Sequence, residues 1–331
     1  RVRGRIDGSM QAWGPRDDLD QATVQATLER VEVDWAGHHL KSPEPWTYSQ
    51  SEGSFSAESI SLAGGETELG LKLSGVVGGM SRLEGGGSLD LDLVRGLVEE
   101  LDVAEGVAIV GITGEGAGPI PDLHLDLDIS GGRFDGVWFP EAVDSVSGRI
   151  QASSDGYEFT QIDGTMGGGG FEIRGRLDAR DWVPSHFDLA AEFRGAQVQM
   201  IDYLPPFRGD ADLNFDGPPS ELMMSGHIDV LDMRFDERID WEDWVIELQG
   251  EHLEDASSEA WADYFALDIE ISADDTIRMR NNLADLTASG QLRIVGDTSR
   301  IGTIGEIRAT PGGRVFLNER EFEVARAELH F

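Results

Sequence analysis

The chain of 331 residues contains no cysteine. Disulfides, thiolate nucleophiles and thiolate metal sites are therefore excluded, and the redox compartment stays open. No run of 18 apolar residues occurs, so the sequence predicts no membrane-spanning helix. Aromatic residues make up only 8% of the chain, whereas glycine occurs 42 times. Apolar side chains are thus spread thinly, which favours an extended sheet over a compact globule.

Basic residues are also scarce. The chain has 26 lysines and arginines against 63 aspartates and glutamates, which gives a formal net charge of -37. Nucleic acid and anionic membrane surfaces attract cationic proteins, so this composition argues against both as docking partners. The acidity is typical of a solubilising surface on a chain with much exposed apolar area.

One motif recurs along the whole chain: a glycine, a polar residue, an apolar or small residue, and a further polar one. We interpret each glycine as a turn residue that opens a strand of period two. Repetition of this kind indicates a quasi-one-dimensional architecture, and the irregular spacing argues against a strict solenoid. Examples are "GRIDG" from residue 4, "GSLDL" from 87, "GRIQA" from 148, "GRLDA" from 175, "GDADL" from 209, "GHIDV" from 226, "GQLRI" from 290, "GEIRA" from 305 and "GRVFL" from 313.

Apolar and polar residues alternate between these glycines. The clearest segments are "LHLDLDIS" from residue 123, "HFDLAAEF" from 186 and "FALDIEIS" from 265, and the last segment, 313–331, reads as two strands joined by a tight turn. Alternation predicts strands of which only one face leaves water. A sandwich would satisfy the pattern, but one of this length would normally show bulkier aromatic layers and would divide into domains.

Helical spacing is found in few places. We predict short helices within residues 18–33 and near 92–102, and a weaker one near 257–265. The segment 111–122, rich in glycine and proline, is interpreted as a turn between two sheet sections. We therefore divide the chain into an N-terminal section, 1–112, which carries the helix near 92–102, and a continuing section, 113–331; one continuous domain is the alternative.

Motifs for chemistry are weak. "GITGEGAG" from residue 111 lacks the third glycine of a dinucleotide loop, since Pro119 stands there, and no Lys-Ser or Lys-Thr follows it. The aspartate ladders are expected to stay solvated rather than to bind calcium. No metal-protease or nucleophile-elbow motif occurs. We predict no enzyme activity, no cofactor and no metal site.

The final third of the chain, 265–331, resembles the C-terminal region of the TamB family, which belongs to the AsmA-like bacterial envelope proteins. The resemblance rests on the order of loose motifs: an acidic and apolar strand, "IRMRNNLADLTASGQLRIVG", "IGEIRATPGGRVFLNEREFEV" and a closing strand. The segments "GPIPDLHLDLDISGGRFDGVWFP" and "FDGPPSELMMSGHIDVLDMRF" are similar to upstream repeats of the family. Ala327 departs from the pattern, because the family often has glycine before its closing strand, and the chain stops at Phe331, short of the family's terminal segment.

The resemblance implies a mostly β fold: a long, twisted sheet that curls into an open half-pipe, hydrophobic inside and polar outside, with one or two short helices. It implies bridge-like transport of phospholipids between the inner and outer membranes, in support of outer-membrane assembly. The implied place is the periplasm, with an inner-membrane anchor in a segment absent from this chain. The implied partners are phospholipids and a BamA/TamA-like outer-membrane barrel, and no nucleic acid.

Strand parity selects the residues of one face, and the resemblance makes that face a lipid groove. The predicted groove residues are Leu89, Leu91, Leu123, Leu125, Leu127, Ile129, Phe171, Ile173, Phe187, Leu189, Phe193, Leu213, Phe215, Ile228, Val230, Phe265, Leu267, Ile269, Ile271, Ile277, Met279, Leu292, Ile294, Val315, Leu317, Phe322 and Val324. A bulge or a register error of one residue would reverse the assignment of a whole strand.

The sequence is also compatible with two other functions. A β-solenoid adhesin would fill its apolar face with its own side chains, but it should show a fixed repeat length. A scaffold that helps outer-membrane proteins insert by strand addition needs an open sheet, as lipid transport does, so the sequence does not separate these two.

Overall fold

The structure, a computed structural model, describes residues 3–15, 21–96, 101–117, 121–136, 140–199, 205–238, 265–297, 300–317 and 320–331. Nearly all of these residues lie in β-strands, as the alternation predicts. The strands are β1 (Arg3–Trp13), β2 (Thr23–Trp35), β3 (His38–Lys41), β4 (Trp46–Ser51), β5 (Ser54–Gly64), β6 (Thr67–Val76), β7 (Met80–Asp90), β8 (Leu101–Ala117), β9 (Asp122–Gly136), β10 (Val143–Ser153), β11 (Gly156–Met166), β12 (Gly169–Arg180), β13 (Val183–Val198), β14 (Phe207–Gly217), β15 (Met223–Phe235), β16 (Ala266–Arg280), β17 (Ala284–Asp297), β18 (Arg300–Ala309), β19 (Gly313–Leu317), β20 (Arg320–Val324) and β21 (Ala327–His330).

The 21 strands of the described ranges belong to one mixed sheet, which is open and curled. The predicted fold class is therefore confirmed. Consecutive strands pair in antiparallel fashion from β4 to β10, from β13 to β15 and from β16 to β18. Among the described pairings, β15 with β16 is parallel. The predicted hairpin near the end of the chain is formed by β19 and β20.

The chain forms two compact units. The N-terminal unit comprises residues 1–164 and 176–184, and the C-terminal unit comprises residues 165–175 and 185–331. Strand β8 runs continuously through positions 112 and 113. The division into sections at that point stays a prediction.

The repeated glycines lie mostly inside strands, which corrects their interpretation as turn residues. Gly226 lies in β15 with φ +147°, and Gly305 lies in β18 with φ +137°. A Cβ atom on Gly226 would lie 2.0 Å from the carbonyl oxygen of Asp212, and one on Gly305 would lie 2.1 Å from that of Gln291. Glycine is required there because the neighbouring backbone approaches closely while the strand bends, and L side chains rarely adopt such a φ.

Bulges interrupt the pairing without exposing the apolar face. The register shifts between Ala57 and Ile60 and between Ala273 and Ile277. The residue absorbed by the second bulge, Asp275, has φ +55°, and its carboxylate accepts hydrogen bonds from the hydroxyls of Ser289 (2.8 Å) and Thr310 (2.6 Å). Such side-chain bonds hold the bulged backbone, and bulges increase the local twist of a sheet.

The first predicted helix is wrong, and the second is shorter than predicted. Residues 23–35 form strand β2, because Val24, Ala26 and Leu28 alternate with polar residues and pair with β1 and β4. The helix predicted near 92–102 is a 3₁₀ helix at Leu91–Gly96, and strand β8 begins at Leu101 because residues from 101 onward pair with β9. A second 3₁₀ turn spans Pro219–Glu221. Of the third predicted helix, residues 257–264 lie outside the described ranges.

The glycine-rich segment 111–117 was predicted to be a turn and is instead the second half of β8. It pairs with β7 on one side and β9 on the other, so its glycines are held in a ladder on both sides. Two neighbouring strands satisfy the backbone donors and acceptors there, and this outweighs the weak strand propensity of glycine.

Gly226→Ala tests the close approach inside β15. We expect it to lower the free energy of unfolding by about 2 kcal/mol or more, because the new Cβ meets the Asp212 carbonyl and φ is unfavourable. Gly70→Ala in β6 is the control, since its Cβ would meet nothing within 4 Å. Urea unfolding followed by circular dichroism measures both, and equal stabilities of the two variants would contradict the argument.

Candidate functional site

The C-terminal unit carries apolar residues on one face of β13 to β17. Antiparallel partners and aligned parallel partners point to the same side of a sheet, so the pairings give the face directly. We call this set the C-terminal apolar face. Its three central rows are Leu189, Phe215, Met224 and Leu267; Ala191, Leu213, Gly226, Ile269 and Ile294; and Phe193, Ala211, Ile228, Ile271 and Leu292.

The centre of this face is buried although it belongs to one sheet layer. Ile269 is 3% exposed and Leu267 is 9% exposed, and together with Ile228 they form a cluster. The residues packed around this cluster belong to the same four neighbouring strands or directly precede them: Phe207, Ala211, Leu213, Met224, Phe265, Ile271 and Ile294. Most of these surrounding side chains are only half-buried. The central cluster is therefore shielded by side chains of its own curled sheet, and the residues around the cluster remain partly accessible.

The N-terminal unit has an equivalent face. Leu125, Leu127 and Ile129 of β9 lie opposite apolar or glycine residues on both neighbouring strands, and Leu123 lies opposite Gly114 of β8. We call the whole set the N-terminal apolar face. Across β5 to β10 its members are Phe55, Ala57, Ile60, Leu62, Leu69, Leu71, Leu73, Leu83, Leu89, Ala108, Val110, Ile112, Leu123, Leu125, Leu127, Ile129, Ile150 and Ala152.

The 3₁₀ helix covers one end of the N-terminal apolar face. Leu91 packs with Ala104 and Ala108 of β8, and Ile129 and Phe134 of β9 pack against the same cluster. Leu91 is predicted to line the groove, and the structure places it in the element that covers the face. Its side chain is fully buried, so Leu91 does not line an open surface.

A histidine clasp holds this 3₁₀ helix. His38 of β3 contacts Asp92 with 2.8 Å between Nε2 and Oδ2, and the Arg95 guanidinium donates to the same carboxylate at 2.7 Å. These hydrogen bonds hold the pKa of Asp92 below its usual range, and the bond with His38 has the largest effect. The end of the N-terminal apolar face is thus closed by a polar contact between segments that lie 54 residues apart.

The predicted groove residues fall into three groups by burial. Buried are Leu91, Phe171, Ile228, Val230, Leu267, Ile269 and Val324. Half-buried are Leu89, Leu123, Leu125, Leu127, Ile129, Ile173, Phe187, Leu189, Phe193, Leu213, Phe215, Phe265, Ile271, Ile277, Met279, Leu292, Ile294 and Val315. Phe322 is 49% exposed, and the side chain of Leu317 lies outside the description.

The prediction omitted part of the N-terminal apolar face. Leu69, Leu71 and Leu73 alternate with Gly70 and Lys72 in "LGLKL", so the pattern was present in the sequence. Trp46, Tyr48 and Phe55 were harder to find, because serine and glutamine interrupt the apolar series. The pairing of Tyr48 with Ala57 shows that it shares the apolar face.

The opposite face is charged and hydrated. Arg149 donates two hydrogen bonds to Asp128, at 2.8 and 3.2 Å, and Arg293 donates two to Asp268, at 2.6 and 2.7 Å. The bonds from Arg293 lower the pKa of Asp268. All four side chains are well exposed, so these pairs contribute little to stability and instead keep the face wetted.

A serine, a histidine and an aspartate meet on this polar face, but not as a nucleophilic triad. His227 Nε2 lies 3.2 Å from Ser272 Oγ and 3.0 Å from Asp229 Oδ1, and Ser272 also donates to Asp229. A triad needs the carboxylate on Nδ1, so that Nε2 is free to take the serine proton. Here both partners compete for Nε2, so the arrangement is a local hydrogen-bond network.

Within the described ranges, no group of three or more His, Cys, Asp or Glu side chains could hold a metal ion. In the same part of the chain, no helix is long and apolar enough to cross a bilayer.

Comparison with protein-family models gives a match to the second half of the chain. The family model described as the TamB C-terminal domain matches residues 160–331, just over half of the chain. Neither a curated protein nor a solved structure matches.

The clasp can be tested through the ionisation of Asp92. His38→Ala removes the leading cause of its lowered pKa, so we expect the pKa of Asp92 to rise in a carboxyl carbon NMR titration. Because the pKa of Asp92 is lower in the folded state than in the unfolded state, its ionisation stabilises the wild-type fold at pH values above the unfolded-state pKa. This stabilisation is lost as the pH falls through the folded-state pKa. His39→Ala, which contacts Asp34 instead, should leave Asp92 unchanged. An unshifted Asp92 in His38→Ala would rule out the clasp.

Proposed function

The chain belongs to the TamB family of bacterial envelope proteins, and we propose that its apolar faces carry phospholipid acyl chains between the inner and outer membranes. The observation that carries this proposal is the single-layer C-terminal apolar face. Ile269 and its neighbours are shielded by the curl of their own sheet, while the half-buried residues around them leave room for an apolar ligand. A sheet filled by its own side chains would not leave such a surface.

The energetic need for such a surface follows from the substrate. Moving two acyl chains of about 16 carbons each into water costs about 25 kcal/mol at about 0.8 kcal/mol per methylene. An apolar strip contacting the chains along their path removes most of that cost. Because these contacts are non-directional, a chain can slide from one row of side chains to the next.

The polar face fits the same task. Its exposed arginine and carboxylate pairs keep the protein hydrated, and the net charge of -37 opposes association of copies. Headgroups would remain in water at the open side of the sheet. The proposed passage involves no covalent step and no cofactor.

The place and partners follow from the family. Membership places the chain in the bacterial envelope. We propose a periplasmic position, an inner-membrane anchor outside this chain and an outer-membrane barrel of the BamA/TamA type as partner.

Strand addition is a second candidate function, favoured by the edge of β18. Strand β21 pairs with β18 only through residues 306–309, so among the described strands residues 300–304 have β17 as their partner on one side alone. Ile301 is 58% exposed and Ile304 is 57% exposed on this edge. A free edge with apolar side chains can template a strand of another protein.

Lipid copurification tests the first proposal. We expect phospholipid in organic extracts of the purified chain and its loss from Leu213→Arg, because a half-buried residue of the C-terminal apolar face becomes cationic. Asn214→Arg is the matched control, since it adds the same charge one residue away on the exposed polar face. Mass spectrometry quantifies the lipid, and circular dichroism confirms that both variants fold.

The outcomes separate the two functions. Lipid absent from the folded wild type, or equally present in both variants, would overturn lipid transport. The backbone of Gly305 accepts a hydrogen bond from Phe331 on the outer side of β18, and the amide of Thr303 points to the same side. Thr303→Pro removes that amide donor, so it should block strand addition and leave lipid binding intact. Binding of a strand-forming peptide that is unaffected by Thr303→Pro would exclude this edge.

A further inference from the structure

Three arginines lie together at one end of β15 and β16, in a chain with far more acidic than basic residues. Arg234 is the penultimate residue of β15, and Arg278 and Arg280 end β16. We call these three the rim arginines. The parallel register places Arg234 directly opposite Arg278 on the polar face. Like charges directly opposite one another destabilise a sheet, so the arrangement calls for an anion.

The rim arginines are less neutralised than others on the polar face. Among the described residues no carboxylate lies within ion-pair distance of Arg278, and Arg280, 81% exposed, reaches only 3.8 Å from Asp285. That carboxylate already accepts from Arg314 at 2.7 Å. Arg234 contacts Asp232 at 3.0 Å, and Arg208, which pairs with Asp232 in the register, adds a further positive charge. Unlike Arg149 and Arg293, which each donate two hydrogen bonds to one carboxylate, none of the rim arginines forms such a two-bond fork with a carboxylate of the described residues.

The same strand ends carry the margin of the C-terminal apolar face. Met233 and Phe235 alternate with Arg234 in β15, and Ile277 and Met279 alternate with Arg278 in β16. The register aligns Met233 with Ile277 and Phe235 with Met279. Arg280 is the last residue of its strand, and its side chain is 81% exposed. Apolar side chains and guanidinium groups thus lie on opposite faces of the same two strand ends.

We propose that the rim arginines bind the phosphate of a phospholipid whose acyl chains lie against Phe235 and Met279. This rests on the proposed function and adds a headgroup site to it. A guanidinium presents a planar fork of donors that fits phosphate oxygens in bidentate fashion, and two such forks on adjacent strands approach one phosphate together. The contact faces water at the rim, so it selects for phosphate without burying the charge.

The test compares two lipids with identical chains. Fluorescent phosphatidylethanolamine carries the phosphate, and diacylglycerol with the same labelled chain lacks it. We expect the wild-type chain to bind the phospholipid about tenfold more tightly, as hydrogen bonds between charged groups warrant. The triple variant Arg234→Gln, Arg278→Gln and Arg280→Gln should lose this preference and keep its affinity for diacylglycerol.

A matched variant controls for charge. Arg149→Gln, Arg174→Gln and Arg293→Gln removes three charges from paired, exposed arginines of the polar face and should retain the preference. Should the triple rim variant unfold, Arg278→Gln alone should lower the preference, because this exposed residue has no carboxylate partner among the described residues. Inorganic phosphate at millimolar concentration should weaken binding of the phospholipid and not that of diacylglycerol.

Each result bears on one claim. Binding of neither lipid to the folded wild type would overturn the proposed function itself. Equal binding of both lipids by the wild type, or an unchanged preference in the rim variants, would overturn the headgroup site alone. Inorganic phosphate bound as tightly as the phospholipid would assign the site to free phosphate and also overturn it.

Discussion

A slip of one residue in any strand pair would move that strand's apolar side chains to the opposite face of the sheet. The fold therefore depends on a pairing register that is kept across many neighbouring strands. In the C-terminal unit the rows continue through antiparallel pairs and across the parallel pair of β15 with β16. Turns, bulges and internal glycines all serve to keep the apolar residues in phase.

A single-layer sheet must bury its apolar face without a second layer, and curvature is the means that the chain uses. Gly226 and Gly305 allow backbones to approach where a Cβ would collide, and the bulge at Asp275 adds twist with its own hydrogen-bond support. The result is a graded face: Ile269 is nearly inaccessible, whereas Ile301 at the C-terminal edge is 58% exposed. Such a gradient suits a surface that is stable when empty and still attracts an apolar ligand.

Charge has a different distribution from hydrophobicity. Arg149 and Arg293 each donate two hydrogen bonds to one carboxylate, so each is paired with a charge of opposite sign on the polar face. The rim arginines depart from this rule where the apolar face reaches its margin. Acyl chains and phosphate would then be bound by residues that alternate along the same strand ends. The apolar residues would contact the chains by dispersion, and the arginines would donate hydrogen bonds to the phosphate.

The sequence alone predicted the β class, the one-sided strands and most residues of the C-terminal apolar face, because alternation with period two is a local property that survives in any context. Motif order also indicated the family that the match over residues 160–331 shows. Local signals failed where pairing partners decide the outcome: 23–35 and 111–117 are strands because two neighbours bond to them, and Leu91 covers the N-terminal face from a 3₁₀ helix. The parallel pair that sets Arg234 beside Arg278 joins segments far apart in the chain, and only the tertiary structure decided it, since register between distant strands is not written in either strand by itself.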